Sequence, residues 1–450
     1  MVRNPCLACG SVLAAFNDIV RIFRVWGSIV FVSFFARPGL FFLSFALWAL
    51  FCIGGWYGYF ADHGATFSLA VTFPPALAEG ADEAAQAAFA AALAEANEFW
   101  FYQYMLLGYL LFVGVWLWLA RQQRWSRWSV AGSALIVFIT WFQVQVSVML
   151  NEWYGGFYDL IQNALGNPGK VGIGEYYSEL STVAVIIMTA VAVSVFNRFF
   201  VSHYVFRWRH AMNDYYTARW SRLRRIEGAS QRIQEDTMRF ATIVEDLGVS
   251  FLESVMTLLA FLPILWGLSA YVTELPLIGE VPQALVMVAL LWSVFGTALL
   301  ALAGIRLPGL EFNNQKVEAA YRKELVYGED HEHRAHPQTL AELFTDVRAN
   351  YFRLYRNYLY FNVVRYGYLN VGQFVPLIAL APAIMAGAFS LGVMQRILNA
   401  FRQVQDSFQY LVNSWTTIVE LQSIYKRLRA FERALNDLPD LETVEESAGR

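Results

Sequence analysis

The chain has 450 residues, 57% of them hydrophobic and 15% charged, with a formal net charge of −3 and a mean hydropathy of +0.40. That is more apolar surface and less charge than a water-soluble domain of this length carries, so lipid is the expected solvent for most of it. No nucleic-acid partner follows from so small a net charge.

Residues 1–38 form an expected N-terminal cytoplasmic extension. In Ser11 to Phe35, the residues Val12, Phe16, Val20, Phe23 and Ile29 recur near helical spacing, with Asp18, Arg21 and Arg24 between them. This pattern predicts an amphipathic helix lying along a membrane surface rather than crossing it. Cys6 and Cys9 make a lone C-x-x-C with no second pair and no nearby histidine, which predicts no metal site. Arg37, Pro38 and Gly39 break the helix.

From residue 39 to 434 a transmembrane transport domain is expected. Crossing the hydrocarbon core takes about 20 helical residues. Eight windows of about that length or longer qualify: Leu40 to Phe60, Phe99 to Ala120, Ser129 to Leu150, Ser181 to Phe200, Phe251 to Val272, Ala284 to Ile305, Phe361 to Phe389 and, least apolar, Val393 to Tyr425. The runs do not alternate as barrel strands do, so the expected fold is all-α, a polytopic helical bundle. Between the first two windows, Ala81 to Ala96 reads as a short exposed helix with an acidic surface. Two long helix-favouring connections, His203 to Val249 and Arg306 to Asn357, extend the spans well beyond the bilayer, as in transporters of the ATP-driven exporter type. Residues 435–450 read as an acidic, disordered tail.

Basic residues fix the orientation. The loops Ala61 to Glu98, Asn151 to Leu180 and Thr273 to Gln283 hold a single one, Lys170, whereas Arg121, Arg124 and Arg127 crowd one short turn and eight arginines lie between Arg207 and Arg239. Loops rich in arginine and lysine stay inside the cell, so both termini are expected in the cytoplasm.

No catalytic signature is present. The nearest text to a phosphate-binding loop, Ala164 to Val171, has Gly169 and Lys170 but lacks the first glycine and the hydroxyl residue, and it falls on the outer side. The expectation is therefore neither an enzyme nor an ATP binder, with no cofactor and no metal; His331, His333 and His336 read as part of a solvated loop. Two polar constellations stand out instead. In the last window Arg396, Arg402, Gln403, Gln405, Asp406, Gln409, Asn413 and Glu420 cannot face lipid, where a central charge costs several kcal/mol. Arg402 and Asp406 are four residues apart and can pair on one helix face. The amides around them point to a hydrated substrate cavity, with Gln143, Gln145, Asn370 and Gln373 from other windows completing its lining. The second constellation is acidic: Glu311, Glu318 and Glu329 fall near one face of a helix, unless Gly328 ends it, and Glu235, Glu245 and Glu253 lie near the facing connection. They pair with arginines or carry protons.

Five strings carry a family resemblance: Phe200-Val-Ser-His-Tyr-Val-Phe-Arg-Trp-Arg209, Gln234-Glu-Asp-Thr-Met-Arg-Phe240, Leu307-Pro-Gly-Leu-Glu-Phe312, Val317-Glu-Ala-Ala-Tyr-Arg-Lys-Glu-Leu-Val-Tyr-Gly-Glu-Asp330 and Asn413-Ser-Trp-Thr-Thr-Ile-Val-Glu-Leu421. Over about Phe34 to Leu435 the chain resembles the SbmA/BacA family of bacterial peptide-uptake proteins. The resemblance implies an inner-membrane homodimer, similar in its core to ATP-driven exporters but without the ATPase, that imports peptides and peptide-like antibiotics on the proton gradient. It places the family's acidic ladder on Glu235, Glu245, Glu318 and Glu329, with Glu311 as a lesser member. Gln145, following Trp141 and Phe142, departs from the best-known member of the family, which has an acidic residue there; the resemblance then implies that an outer member of the proton path is missing or replaced. Two alternatives remain open: a membrane subunit that recruits a separate ATPase, and a transporter of envelope lipid or very-long-chain fatty acids.

Overall fold

The computed structural model describes residues 29–437 except 70, 76–81, 227, 273, 277, 278 and 332. Nearly all of them are helical. The helices longer than two turns are α1 (Pro38–Gly55, continued by a wider turn Trp56–Phe60), α2 (Glu83–Leu119), α3 (Ser133–Gly166), α4 (Ile173–Thr217), α5 (Thr237–Leu268), α6 (Ala284–Gly304), α7 (Leu307–Asp330), α8 (Pro337–Gly372), α9 (Val375–Met385), α10 (Leu391–Asn413) and α11 (Trp415–Asp437). A two-residue antiparallel ribbon pairs Glu274 with Glu280 and Leu275 with Gly279. Seven helical segments are long and apolar enough to cross a membrane: Pro38–Phe60, Ala88–Leu119, Arg127–Gly166, Ile173–Thr217, Ala229–Tyr271, Ala284–Glu329 and Pro337–Met385. The chain is an all-α, multi-pass membrane protein.

These segments match the first seven expected windows. The eighth is helical but too polar to meet the same measure, and Ser414 divides it into α10 and α11. The alanine-rich stretch is no separate helix. Its alanines, the best helix formers, carry α2 from Glu83 without a break into the second span, and Asp82 starts it by accepting a hydrogen bond from the Ala85 amide at 2.9 Å. Gly328 does not end α7. Its bare Cα makes room for the Ala335 methyl on the returning turn, and the helix runs on to Asp330. The expected amphipathic N-terminal helix, Cys6, Cys9 and the expected tail 435–450 lie largely or wholly outside the described residues, and residues 435–437 belong to the last turn of α11.

Two compact units divide the chain. The first combines Met1–Ile136, Val201–Ala241 and Lys426–Arg450. In it α1 and α2 are joined by indole donors: Trp48 Nε1 bonds Gly108 O and Trp116 Nε1 bonds Ser44 Oγ, both at 3.0 Å. The last residues before α1 are anchored by an aromatic box, in which Phe34 stacks on Trp208 with ring centres 5.7 Å apart and Trp208 Nε1 donates to Val30 O at 3.0 Å. Gly228, at φ +76°, turns the chain back ahead of α5 in a left-handed conformation that suits glycine.

The second unit combines Val137–Phe200 and Thr242–Tyr425. Its core is built by Phe261 and Leu265 of α5, Leu285 and Ala289 of α6, Leu380 of α9, and Ile397, Ala400, Phe401 and Val404 of α10, all buried. The α10 residues form one apolar stripe at helical spacing. Alongside, α7 and α8 form an antiparallel hairpin held by Asn350, whose Nδ2 donates to Asn314 Oδ1 at 3.2 Å and to Leu310 O at 3.4 Å.

Candidate functional site

The apolar stripe of α10 dictates where its polar residues go. Gln395, Asn399, Arg402, Asp406, Gln409 and Asn413 follow one another at spacings of four and three, which puts them along the opposite face of the helix. Arg402, Asp406 and Asn413 are exposed at the centre of this face. Asn399 and Gln409 are buried on its flanks, each tied to a different neighbour. Towards α3, Asn399 Nδ2 donates to Asn151 Oδ1 at 2.9 Å, and Arg402 donates to Asn399 Oδ1 at 2.8 Å. The Arg402 guanidinium therefore turns back to the asparagine, and no direct contact joins it to Asp406. Towards α8, Gln409 Nε2 donates to the Tyr368 hydroxyl at 2.7 Å, which itself donates to Trp292 O at 3.1 Å. The Tyr368 ring lies against Trp292 at 5.0 Å and fills the space over Gly296, where any side chain would collide with it.

At its N-terminus α10 is pinned to α3. Asp159 Oδ1 accepts from the Gly392 amide at 2.8 Å and Gln162 Oε1 from the Leu391 amide at 2.6 Å, satisfying first-turn donors that have no partner within the helix. The Arg396 side chain lies across Gly155. The polar face of α10 is thus tied to α3 through Asn399 and its N-terminus and to α8 through Gln409, with Arg402 and Asp406 exposed between. Asn399 and Tyr368 had no signal in the sequence beyond being polar within apolar windows, and Asn151, just past the end of one, had none.

The other expected lining residues spread out. Gln143 is engaged with α4, donating to Ser194 Oγ at 3.2 Å. Gln145 is half-buried on α3, Gln373 is exposed at the break between α8 and α9, and Asn370 bonds back to Tyr366 O in its own helix.

The acidic residues separate by unit and by partner. Glu235 belongs to the first unit, where it pairs with Arg239 at 2.9 Å and accepts a hydrogen bond from Gln231 Nε2 at 3.1 Å. Its neighbour Asp236, not singled out by the sequence pattern, is the more buried acid, with 2% of its surface exposed. It takes Arg427 through two nitrogens at 2.8 and 3.2 Å and Arg232 at 2.7 Å. Glu245, Glu311, Glu318 and Glu329 all belong to the second unit. None of the four side chains makes a hydrogen bond or ion pair among the described residues. Glu245 and Glu318 are half-buried, one oxygen of Glu311 is fully buried without a partner, and Glu329 is exposed.

Residues 122–436 match the model of the SbmA/BacA-like family. The chain is a member of that family. Among curated proteins it is similar to the Escherichia coli inner membrane ABC transporter ATP-binding protein YddA, with 23% identity over 70% of this chain and 60% of that protein. It is 24% identical to an uncharacterized ABC transporter ATP-binding protein, sll0182, of Synechocystis over 70% of this chain and 47% of that one. The chloroplastic ABC transporter D family member 2 of Arabidopsis thaliana is 24% identical over 51% of this chain and 33% of the relative. The chain thus spans about half the length of the curated relatives it matches. These likenesses make it a transporter-family membrane protein.

Proposed function

We propose that two copies of this chain form a transporter that imports peptides and peptide-like antibiotics across the bacterial inner membrane, driven by the proton gradient through alternating access. The reading is carried by the half-buried glutamates that make no hydrogen bond or ion-pair contact among the described residues, Glu245 and Glu318 first, in helices of an apolar bundle that also displays the polar centre of α10. Unpaired acids in such a place are costly and mark ion or proton paths. Arg402 and Asp406, close together but not paired, offer one anionic and one cationic handle, which suits a zwitterionic peptide. One proton crossing 100 mV releases about 2.3 kcal/mol, enough to bias a two-state equilibrium roughly fifty-fold. The arginine-rich turns at Arg121 to Arg127 and Arg207 to Arg239 support placing both termini in the cytoplasm.

The test is the double variant Glu245→Gln and Glu318→Gln in proteoliposomes carrying a pH gradient. Gradient-driven peptide uptake should fall to background while the variant keeps its unfolding temperature. Full uptake by the double variant refutes the assignment. A second reading, a membrane subunit serving a separate ATPase, is favoured by the names and the greater length of the relatives, and predicts transport that needs ATP and the companion protein.

A further inference from the structure

The core of the second unit holds only one half of α5. Phe261, Leu265 and Leu268 are buried in one cluster with Leu285 of α6, Leu380 of α9 and Ile397 of α10, and just past the helix Ser269 Oγ accepts from the Leu285 amide at 3.0 Å. From Ile243 to Met256, by contrast, no residue is buried, and Phe251 is 46% exposed. Among the described residues this lightly packed half makes one hydrogen bond outside its own helix. The Tyr410 hydroxyl of α10 donates to Leu247 O at 2.6 Å, with the Tyr410 and Phe251 rings 5.9 Å apart. Pro263 stands where the packed half begins. Lacking an amide hydrogen, it cannot bond Leu259 O, so the helix is weakest there.

The ties of α10 differ in what their release costs. Gln409 and Asn399 are buried, and parting them from Tyr368 and Asn151 leaves buried polar groups unpaired. Releasing Tyr410 leaves none. Leu247 O keeps the Phe251 amide of its own helix, and the half-buried Tyr410 hydroxyl has the Ser414 side chain beside it. The contact of α10 with α5 therefore gives way before its contacts with α3 and α8. We propose that the half of α5 before Pro263 is a gate, hinged at Pro263 and latched to α10 by Tyr410, which acts as the positioning residue that holds it shut. Glu245 and Glu253 ride on this gate, and Tyr410 follows the exposed Asp406 by one helical turn, so the latch stands between the cargo face and the acids. From Pro263 to Gly248 the arm measures about 22 Å, so a rotation of about 15° at the hinge carries Gly248 through about 6 Å. The use of the gate rests on the transport reading; its geometry does not.

Pulsed electron paramagnetic resonance tests it on the full-length chain in lipid nanodiscs, with Cys6→Ser, Cys9→Ser and Cys52→Ala removing the native thiols and unlabelled protein in excess so that only pairs within one chain are read. One pair of spin labels, on Gly248→Cys and Val371→Cys, spans the gate, and a second, on Gln162→Cys and Val371→Cys, spans α3 and α8. Gly248 has open space around it and Val371 is exposed, so the labels fit. The gate pair should show two distances about 6 Å apart, the hinge displacement worked above. Tyr410→Phe should raise the share of the longer one at least about threefold, and adding Pro263→Ala should return most of it to the shorter. The second pair should keep one distance throughout. A single gate distance shared by wild type and Tyr410→Phe overturns the proposal, as do two populations that Tyr410→Phe leaves unchanged, a longer population that Pro263→Ala does not reduce, or an equal shift in both pairs. In proteoliposomes Tyr410→Phe should lower gradient-driven peptide accumulation several-fold, and unchanged accumulation removes the latch from the cycle. A wild type that accumulates no peptide counts against the transport reading alone, because the distances are read without transport.

Discussion

Replacing Asp236 by asparagine keeps the side chain's shape and removes its charge from beneath two guanidiniums. The carboxylate is 3% exposed and its partners Arg427 and Arg232 are 34% and 27% exposed, with contacts of 2.8 and 2.7 Å. At a separation of about 4 Å and an effective dielectric of about 20, each pair carries about 4 kcal/mol of gross attraction, most of it offset by desolvation. Deleting one member of a fully buried pair costs about 3–5 kcal/mol. Here each arginine reaches water and recovers part of its hydration, which lowers the expected loss to about 2–3 kcal/mol. The bond closes α11 onto the segment leading into α5, across 191 residues of sequence, so the loss falls on tertiary structure rather than on a single helix. Equilibrium unfolding in mixed micelles, monitored by tryptophan fluorescence, measures it. With Arg427→Gln and the double variant the cycle should show a coupling of at least about 1 kcal/mol. A change below about 0.5 kcal/mol for Asp236→Asn, or strict additivity with Arg427→Gln, refutes the reasoning.

The contacts around α10 give three further expectations. Gly296→Ala forces the Tyr368 ring off Trp292 and should cost about 1–3 kcal/mol in the same unfolding assay, with a larger loss for valine. Tyr368→Phe removes the acceptor for Gln409 and the donor to Trp292 O, both in buried surroundings, for a loss of about 1–3 kcal/mol. By contrast Asp406→Asn, at the exposed centre of the polar face, should leave unfolding within about 0.5 kcal/mol of wild type while weakening uptake of cationic peptides in a competition assay. Unchanged uptake of such peptides removes Asp406 from the cargo path.

The spans were legible because lipid leaves no choice: about 20 apolar residues must close their own hydrogen bonds as a helix. Where a helix begins depends on single caps, and the reading of Ala81 to Ala96 as a separate element missed that Asp82 starts one helix continuing to Leu119. The polar character of α10 was also visible in the sequence. Its fine structure was not, because Asn399 finds Asn151 across 248 residues and Gln409 finds Tyr368 across 41. The same limit hid Asp236. The family resemblance drew attention to Glu235 beside it, whereas burial and the contact with Arg427 come from helix packing that no local pattern encodes. Nor does four-residue spacing decide a contact: Arg402 and Asp406 could pair on one helix face, but Arg402 bonds to Asn399, three residues away on the same helix.

The central proposal, that protonation of half-buried glutamates rather than nucleotide hydrolysis moves peptide, meets its most direct test in liposomes containing only the purified chain. A labelled peptide is supplied on one side with an imposed pH gradient and no nucleotide. The account predicts accumulation that follows the gradient and collapses on adding a protonophore. Peptide movement that ignores the gradient and starts only with ATP and an added companion ATPase would contradict it.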